Sequence, residues 1–243
     1  MRRKVEGIVI NAVDYKENSK IINILTKEEG IIGVIARGVK SIKSPLRTTT
    51  TVLSYGEFYL SSRSSGLSTL TEVDITDYFK EIRKDLLKMN YSLFLLELCS
   101  SVYKHDNDNN IYTMLISGLK KINEGYDASI ITNIIEMKLL DNLGIRPNLD
   151  SCVVCGSKFD IVTISSYKGG YLCSKCIGDE HKYDIKTLKI LRMFSYVDID
   201  GISKIEISDK IKTELNLFID DYYDRYSGLY LKSKKVIETL SKI

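Results

Sequence analysis

Four of the five cysteines in this 243-residue chain form two Cys-x-x-Cys pairs, Cys152 with Cys155 and Cys173 with Cys176. Each pair can direct two thiolates at one metal ion, and two pairs together complete a tetrahedral ligand set. Seventeen residues lie between the pairs, which is within the range of four-cysteine zinc sites. The spacing therefore predicts one zinc ion. Because four cysteines leave no open coordination position, we expect that ion to be structural.

Other uses of paired thiols fit the segment less well. A thioredoxin-like redox pair needs one such motif at a helix start in a βαβ unit, a setting that the sequence lacks here. Disulfides are disfavoured because no export signal is recognisable and the expected compartment is the reducing cytoplasm. His181 could replace one ligand, although a complete cysteine set favours an exposed surface histidine. Cys99 lies in the apolar stretch "LLELCSSV", which indicates a core residue.

Strand-like patterns occupy the chain from about residue 5 to residue 75. Five short strands are predicted, with no helix between them: "VEGIVINAV", "KIINILT", "IIGVIARG", "VLSYGEFYLS" and "LSTLTEVDI", the last two joined by the turn "SRSSG". The first strand is apolar at both side-chain parities, Val5 and Val9 against Ile8 and Ile10, as in a sheet that curls on itself. These features predict a small barrel of the OB-fold type.

Helical spacing replaces the strand pattern beyond Asp77. One helical stretch is predicted from residue 77 to residue 104, and further helices follow on both sides of the cysteine segment. One of them is expected to end at Gly144, with Pro147 just beyond. The predicted fold class is therefore α+β: an OB-fold barrel domain over residues 1–76 and an α-helical domain over residues 77–243. A zinc-finger insert is expected at about residues 150–180.

A basic segment, defined here as residues 37–56, contains no acidic residue although the whole chain has a net charge of only +3. Its four cations are Arg37, Lys40, Lys43 and Arg47. Serines and threonines between them can donate hydrogen bonds to phosphate, and OB-fold loops commonly bind single-stranded nucleic acid. Tyr55, Phe58 and Tyr59 could offer faces for base stacking. The alternative interpretation is a solvated, mobile loop.

Catalytic motifs are missing from the sequence. The stretch "GVIARGVKS" resembles a phosphate-binding loop, but Val39 separates Gly38 from Lys40 and no suitable helix is predicted after it. The chain has only two histidines, and its acidic residues form no recognisable metal or acid–base arrangement. No apolar stretch is long enough to cross a membrane. The sequence thus predicts a binding protein and no enzyme.

Two passages resemble the RecO family of bacterial recombination and repair mediators. They are "EGIVINAVDYKENSKIINILTKEEGIIGVIARGVK", at the start of the barrel, and "LLDNLGIRPNLDSCVVCG", around the first cysteine pair. The resemblance implies a protein that binds single- and double-stranded DNA and anneals complementary strands. It further implies that RecR and the single-stranded-DNA-binding protein are partners, that RecA is loaded indirectly, and that the protein is cytoplasmic and nucleoid-associated.

Carried over to this sequence, the DNA-binding positions of the family would be Arg37, Lys40, Lys43 and Arg47. Zinc sites occur in some members only, which fits a structural role for the metal. The alternative function is a zinc-stabilised protein-interaction scaffold that does not bind DNA directly. Since both functions accommodate zinc, only an assay of DNA binding distinguishes them.

Overall fold

The computed structural model describes residues 2–61, 66–234 and 236–237, which fall into two units. The first unit comprises Met1–Glu124 and Ser233–Ile243, and the second comprises Gly125–Lys232. The domain boundary expected at residue 76 stays a prediction. Most of the "SRSSG" turn and the end of the C-terminal stretch "LKSKKVIETLSKI" lie outside the described residues.

A closed five-stranded barrel forms the start of the first unit, as the strand pattern predicts. The strands are β1 (Arg2–Tyr15), β2 (Ser19–Thr26), β3 (Gly30–Ala36), β4 (Tyr55–Ser61) and β5 (Ser68–Asp77). They follow the order β1-β2-β3-β5-β4, and β1 closes the barrel by pairing with both β2 and β4. Only the short β3–β5 pairing is parallel. The predicted OB-type barrel and the α+β class are confirmed.

Strand β1 is long because it pairs with β4 along its first half and with β2 along its second half. A register shift between Val9 and Asn11 marks a bulge, which bends and twists the strand as it passes from β4 to β2. Val9 faces the barrel core, and Ile8 is fully buried on the other side of the strand. At Gly7 a Cβ atom would lie 2.6 Å from Cγ2 of Ile24, so the curled sheet leaves no room for a side chain. Burial on both faces is what the apolar pattern indicates.

The first unit also contains the helices α1 (Leu46–Thr49), α2 (Lys80–Arg83), α3 (Leu86–Tyr103) and α4 (Asn109–Asn123). The single helical stretch expected from residue 77 is interrupted. Asp85 adopts an extended conformation, and its carboxylate accepts hydrogen bonds from the backbone N–H groups of Leu87 and Lys88. This N-cap starts a new helix where the apolar spacing alone indicates continuity. After the second unit the chain returns to the first, where the backbone N–H of Ser233 donates to the Glu97 carboxylate over 2.9 Å.

The second unit contains α5 (Ala128–Asn142), β6 (Ile161–Ser165), β7 (Gly170–Cys173), α6 (Ile185–Tyr196) and α7 (Asp209–Tyr226). Helix α5 ends as expected. Gly144 has a φ of +68°, and the backbone N–H of Ile145 donates to the carbonyl of Leu140 over 3.0 Å. This is the Schellman arrangement, which favours glycine at the left-handed position. The three helices pack together, and β6 pairs with β7 in an antiparallel hairpin beside them. Across the described residues, no helix combines the length and apolar character that a bilayer crossing requires.

Candidate metal centre and candidate nucleic-acid interface

The four paired cysteines come together in the second unit. The four sulfur atoms all lie within 4.8 Å of one another; they belong to Cys152, Cys155, Cys173 and Cys176. The sulfurs of Cys155 and Cys173 are 3.6 Å apart. A zinc–sulfur distance of about 2.3 Å places the corners of a regular tetrahedron about 3.8 Å apart. The donor set and its spacing therefore fit one tetrahedral metal ion, with all four thiolates as ligands.

Tight backbone turns aim each pair of cysteines at one point. In the first pair, the backbone N–H of Gly156 donates to the Cys152 carbonyl over 2.8 Å, and the φ of Gly156 is +72°. In the second pair, the backbone N–H of Cys176 donates to the Cys173 carbonyl over 3.0 Å. The β6–β7 hairpin places Ile161 opposite Cys173 and so returns the second pair to the first. The turn and the hairpin are those expected from Gly156 and "SSYKGGYL".

Local hydrogen bonding already favours a thiolate in this cluster. Burial opposes ionisation of Cys152, but hydrogen bonds from the backbone at Cys173, Cys155 and Val154 lower the pKa of its thiol to about 6. By contrast, hydrogen bonding with Cys155, together with burial, raises the pKa of Cys176 to about 12. The protein itself thus stabilises one negative charge at Cys152, and a coordinated metal would deprotonate the other thiols.

The remaining sulfur and imidazole groups behave as expected from the sequence. His181 is exposed, its ring packs edge-on against Tyr183, and it is not part of the cysteine cluster. Cys99 is fully buried in α3, and burial raises the pKa of its thiol. A protonated thiol in an apolar interior is a packing group and a poor nucleophile.

The basic segment connects β3 to β4 and is attached to the barrel at two points. Val39 is buried in the barrel core, and Leu46 packs against the same core. The expected loop contains the short helix α1, whose end is held by the Thr50 hydroxyl donating to the Leu46 carbonyl over 2.8 Å. The segment is therefore a folded excursion from the barrel, in which the polar residues Thr49, Thr50 and Ser54 are buried.

Three of the four cations on this segment are free to meet a ligand. Arg37, Lys43 and Arg47 are exposed and form no ion pair with the residues that the structure describes. Lys40 is different because its ammonium lies 2.9 Å from the carboxylate of Asp14 in β1. This hydrogen bond lowers the pKa of Asp14 below its ordinary value. The basic segment itself contains no acidic residue, but the fold brings Asp14 of β1 next to it.

The prediction that three aromatic residues offer faces for base stacking is wrong for two of them. Phe58 is fully buried in the barrel core, and Tyr55 is only 7% exposed. Its hydroxyl donates to the Glu6 carboxylate over 2.7 Å, and burial raises its pKa to about 12. Tyr59 is partly exposed, with its hydroxyl donating to Asp74 over 3.0 Å. Tyr55 and Phe58 thus have no face to offer a base.

An exposed tyrosine that sequence reasoning missed lies on the β1–β2 hairpin. Tyr15 is partly exposed, and the Lys16 ammonium sits 5.4 Å from its ring centroid. The hairpin adjoins the basic segment because Lys20 pairs with Ala36, the last residue of β3. The sequence indicates this exposure, because Tyr15 directly precedes the polar turn "KENS", which offers no apolar side chain for its ring to pack against.

The chain thus combines a closed OB-type barrel that carries a folded basic loop with a helical part that contains a four-cysteine cluster. These features define a class of modular proteins. Comparison with known proteins identifies the family within that class. The family model described as "Recombination protein O N terminal" matches residues 1–79, and that described as "Recombination protein O C terminal" matches residues 83–235. The chain belongs to the RecO family of DNA repair and recombination proteins.

Full-length relatives lead to the same family. A protein of Bacillus pumilus named DNA repair protein RecO is 36% identical over 99% of this chain and 95% of its own length. A protein of the same name from Halalkalibacterium halodurans is 36% identical over 100% of this chain and 97% of its own. A third, from Listeria monocytogenes, is 36% identical over 98% and 95%.

Proposed function

We propose that this protein acts in DNA repair and recombination by binding single- and double-stranded DNA and annealing complementary strands, without catalytic turnover. The observation that carries the proposal is the set of three exposed cations on the basic segment that form no ion pair with any described residue: Arg37, Lys43 and Arg47. Lys40 is the fourth proposed contact, available when its bond to Asp14 is exchanged for one to phosphate. Membership of the RecO family supports the same function.

The proposed mechanism is electrostatic. Two complementary strands repel each other through their phosphates, and a protein that neutralises part of this charge lowers the barrier to pairing. Arginine and lysine side chains contact phosphate without reading the base, so binding should depend little on sequence. Helix α1 keeps the hydroxyls of Thr49 and Thr50 on backbone carbonyls, which leaves phosphate contact mainly to the cations.

Family membership and the cysteine cluster support a proposal for the partners and the cofactor. We propose one structural zinc ion held by Cys152, Cys155, Cys173 and Cys176, with RecR and the single-stranded-DNA-binding protein as partners and RecA as the recombinase that is loaded. Four thiolate ligands close the coordination sphere, so the zinc would brace the hairpin and would not activate water. A cytoplasmic, nucleoid-associated location fits this role.

Replacing Arg37, Lys43 and Arg47 with alanine tests the proposed DNA site. Each lost phosphate contact changes the slope of log affinity against log salt by about 0.7 for single strands, so the slope should become shallower by about 2. Fluorescence anisotropy with labelled oligo-dT across a salt series measures it, and strand annealing should slow in parallel. The fold should survive because all three side chains are exposed.

The matched control replaces three exposed lysines of the second unit, Lys182, Lys186 and Lys189, with alanine. This change removes the same charge, and we expect the salt slope to stay as in the parent protein. Equal slopes for the parent and the Arg37/Lys43/Arg47 variant would show that the basic segment is not the site. Failure of the parent protein to bind single-stranded DNA at low salt would contradict the proposed function and favour the protein-interaction scaffold.

A further inference from the structure

Ile42 is the most exposed large apolar side chain among the residues that the structure describes, at 87%. It lies in the basic segment between Ser41 and Lys43, close in sequence to all four cations. An apolar side chain surrounded by water and charge gains nothing from its position in the free protein. Single exposed isoleucines are common on protein surfaces. Ile42 is of interest only if the fold of the segment keeps its side chain exposed.

The fold of the segment holds Ile42 away from the barrel. Two apolar residues of the same segment are anchored: Val39 in the barrel core and Leu46 against it. Between them the chain makes successive turns, with the N–H of Ser41 donating to the Gly38 carbonyl over 3.3 Å and that of Ser44 to the Ser41 carbonyl over 3.1 Å. The turns place Ile42 at the outer end of the excursion, while the apolar residues on either side point inward.

We propose that Ile42 packs against the face of an unpaired base in single-stranded DNA while Arg37, Lys43 and Arg47 contact the neighbouring phosphates. This inference rests on the proposed function and adds an apolar contact to it. Every base has a flat apolar face, so such a contact tolerates any sequence. Aliphatic side chains also insert between bases in proteins that unstack nucleic acid.

The charge pattern selects a nucleic-acid occupant for this position. A protein partner for Ile42 would have to present an apolar surface ringed by acids, whereas a single strand offers phosphates and bases at alternating positions along one chain. In a blunt duplex the base faces are already stacked on each other, and the duplex must be unstacked before a side chain can reach them. Ile42 should therefore favour single strands over duplex.

The chain contains no tryptophan, which permits a direct test of base contact. In Ile42→Trp the only indole of the protein stands at the proposed contact. Its fluorescence should be quenched when oligo-dT is added, because an indole stacked on a base loses emission, and a blunt duplex should leave it largely unchanged. The control is Phe159→Trp, which places the indole at an 82% exposed position in the second unit. It should show no quenching.

Removal of the side chain tests the energetic contribution. Ile42→Ala should lower the affinity for oligo-dT about tenfold at fixed salt, the equivalent of nearly two buried methylene groups. The salt slope should stay that of the parent protein because no phosphate contact is lost. Phe159→Ala should change neither quantity. Both changes lie on exposed side chains, and circular dichroism would verify that each variant is folded.

The outcomes separate this inference from the proposed function. If the parent protein binds oligo-dT with a strong salt dependence but Ile42→Trp is not quenched and Ile42→Ala binds equally well, the role of Ile42 is wrong and the function stands. Quenching of Phe159→Trp to the same extent would likewise overturn it. If the parent protein does not bind oligo-dT at all, both the role of Ile42 and the proposed function are wrong.

Discussion

Lys40 and Asp14 show how one ion pair modifies a basic surface. Their side chains are partly exposed, so the pair adds little to stability, as is usual for surface ion pairs. Its effect on binding is larger in principle, because a phosphate must displace the carboxylate before it meets the ammonium. We therefore expect Lys40 to contribute less to the proposed DNA binding than the three cations that form no ion pair with the described residues.

Changing Asp14 to asparagine should release Lys40 and strengthen DNA binding. Removing the carboxylate charge leaves the ammonium free for one more phosphate, which steepens the salt slope by about 0.7 for single strands. Anisotropy titrations of oligo-dT at several salt concentrations measure this change.

The comparison variant is Glu17→Gln, on the same β1–β2 hairpin. Glu17 is exposed and forms no ion pair with the described residues, so its removal changes the local charge by the same amount without releasing a lysine. Its slope should stay close to that of the parent. Identical slopes for the two variants would mean that Lys40 is not restrained by Asp14.

At the residue scale, the sequence predicts the clustering of the four cysteines better than the exposure of the aromatic residues. The cysteine spacing is local, and the turns at Cys152 and Cys173 need only a few neighbouring residues to form. Whether Tyr55 is exposed depends on what covers the outside of the barrel, and there it lies against Phe79, at 6.2 Å between ring centroids. The pairing of Lys40 with Asp14 likewise depends on the register of distant strands, which no local pattern encodes.

At the element scale, the anchoring of the basic segment decides whether it is a mobile loop or a folded surface. Val39 contributes a buried side chain to the barrel core although it lies outside every strand. The predicted alternative of a freely mobile loop does not account for this burial. The same anchor that adds to the core fixes the start of the segment, and with it the position of the cations that follow.

Val39→Ala should lower the free energy of unfolding by roughly 1–2 kcal/mol, from lost apolar burial and the cavity that remains. Chemical denaturation followed by circular dichroism measures the change. Val13→Ala is the control, since Val13 lies in the same barrel at a largely exposed position of β1 and should alter stability little. A loss for Val13→Ala as large as that for Val39→Ala would contradict the anchoring role.

Element types follow from the sequence more reliably than element boundaries. The five strands and helices α4 to α7 are where the apolar periodicity places them. The break before α3 is not, because Ile82 and Leu86 continue the helical spacing across it. The Asp85 carboxylate starts α3 by accepting two backbone hydrogen bonds, and apolar periodicity does not reveal such a cap.

At the scale of the whole molecule, the two candidate sites belong to different units. The exposed cations lie in the first unit and the cysteine cluster in the second. The chain has 35 basic and 32 acidic residues, so the proposed affinity for a polyanion depends on where the cations lie and not on their number. Net charge predicts little here, and the concentration of basic residues in one segment predicts more.

Removal of the metal should therefore unfold a local structure without abolishing DNA binding. Metal coordination contributes on the order of 10 kcal/mol to folding of a zinc-bound segment, and its loss should expose the amides around Cys152 and the β6–β7 hairpin. Hydrogen exchange on the chelated protein measures the exposure, and elemental analysis should find one zinc per parent chain. The salt slope for oligo-dT should remain unchanged.

Cysteine variants separate coordination from general instability. Cys152→Ser should lose the metal, whereas Cys99→Ala should retain it because Cys99 is a buried packing residue of α3 in the other unit. Full metal content in Cys152→Ser would contradict the four-cysteine site. A changed salt slope after chelation would mean that the second unit takes part in DNA binding.

The return of the chain at Ser233 has a consequence for biosynthesis. The first unit is made of an early stretch and a late one, and everything in the second unit is translated between them. Ser233, whose backbone N–H bonds to Glu97, is synthesised after every residue of the second unit. The early stretch of the first unit therefore emerges from the ribosome before its hydrogen-bond partner at Ser233 exists, and that contact can form only after all residues of the second unit have been synthesised.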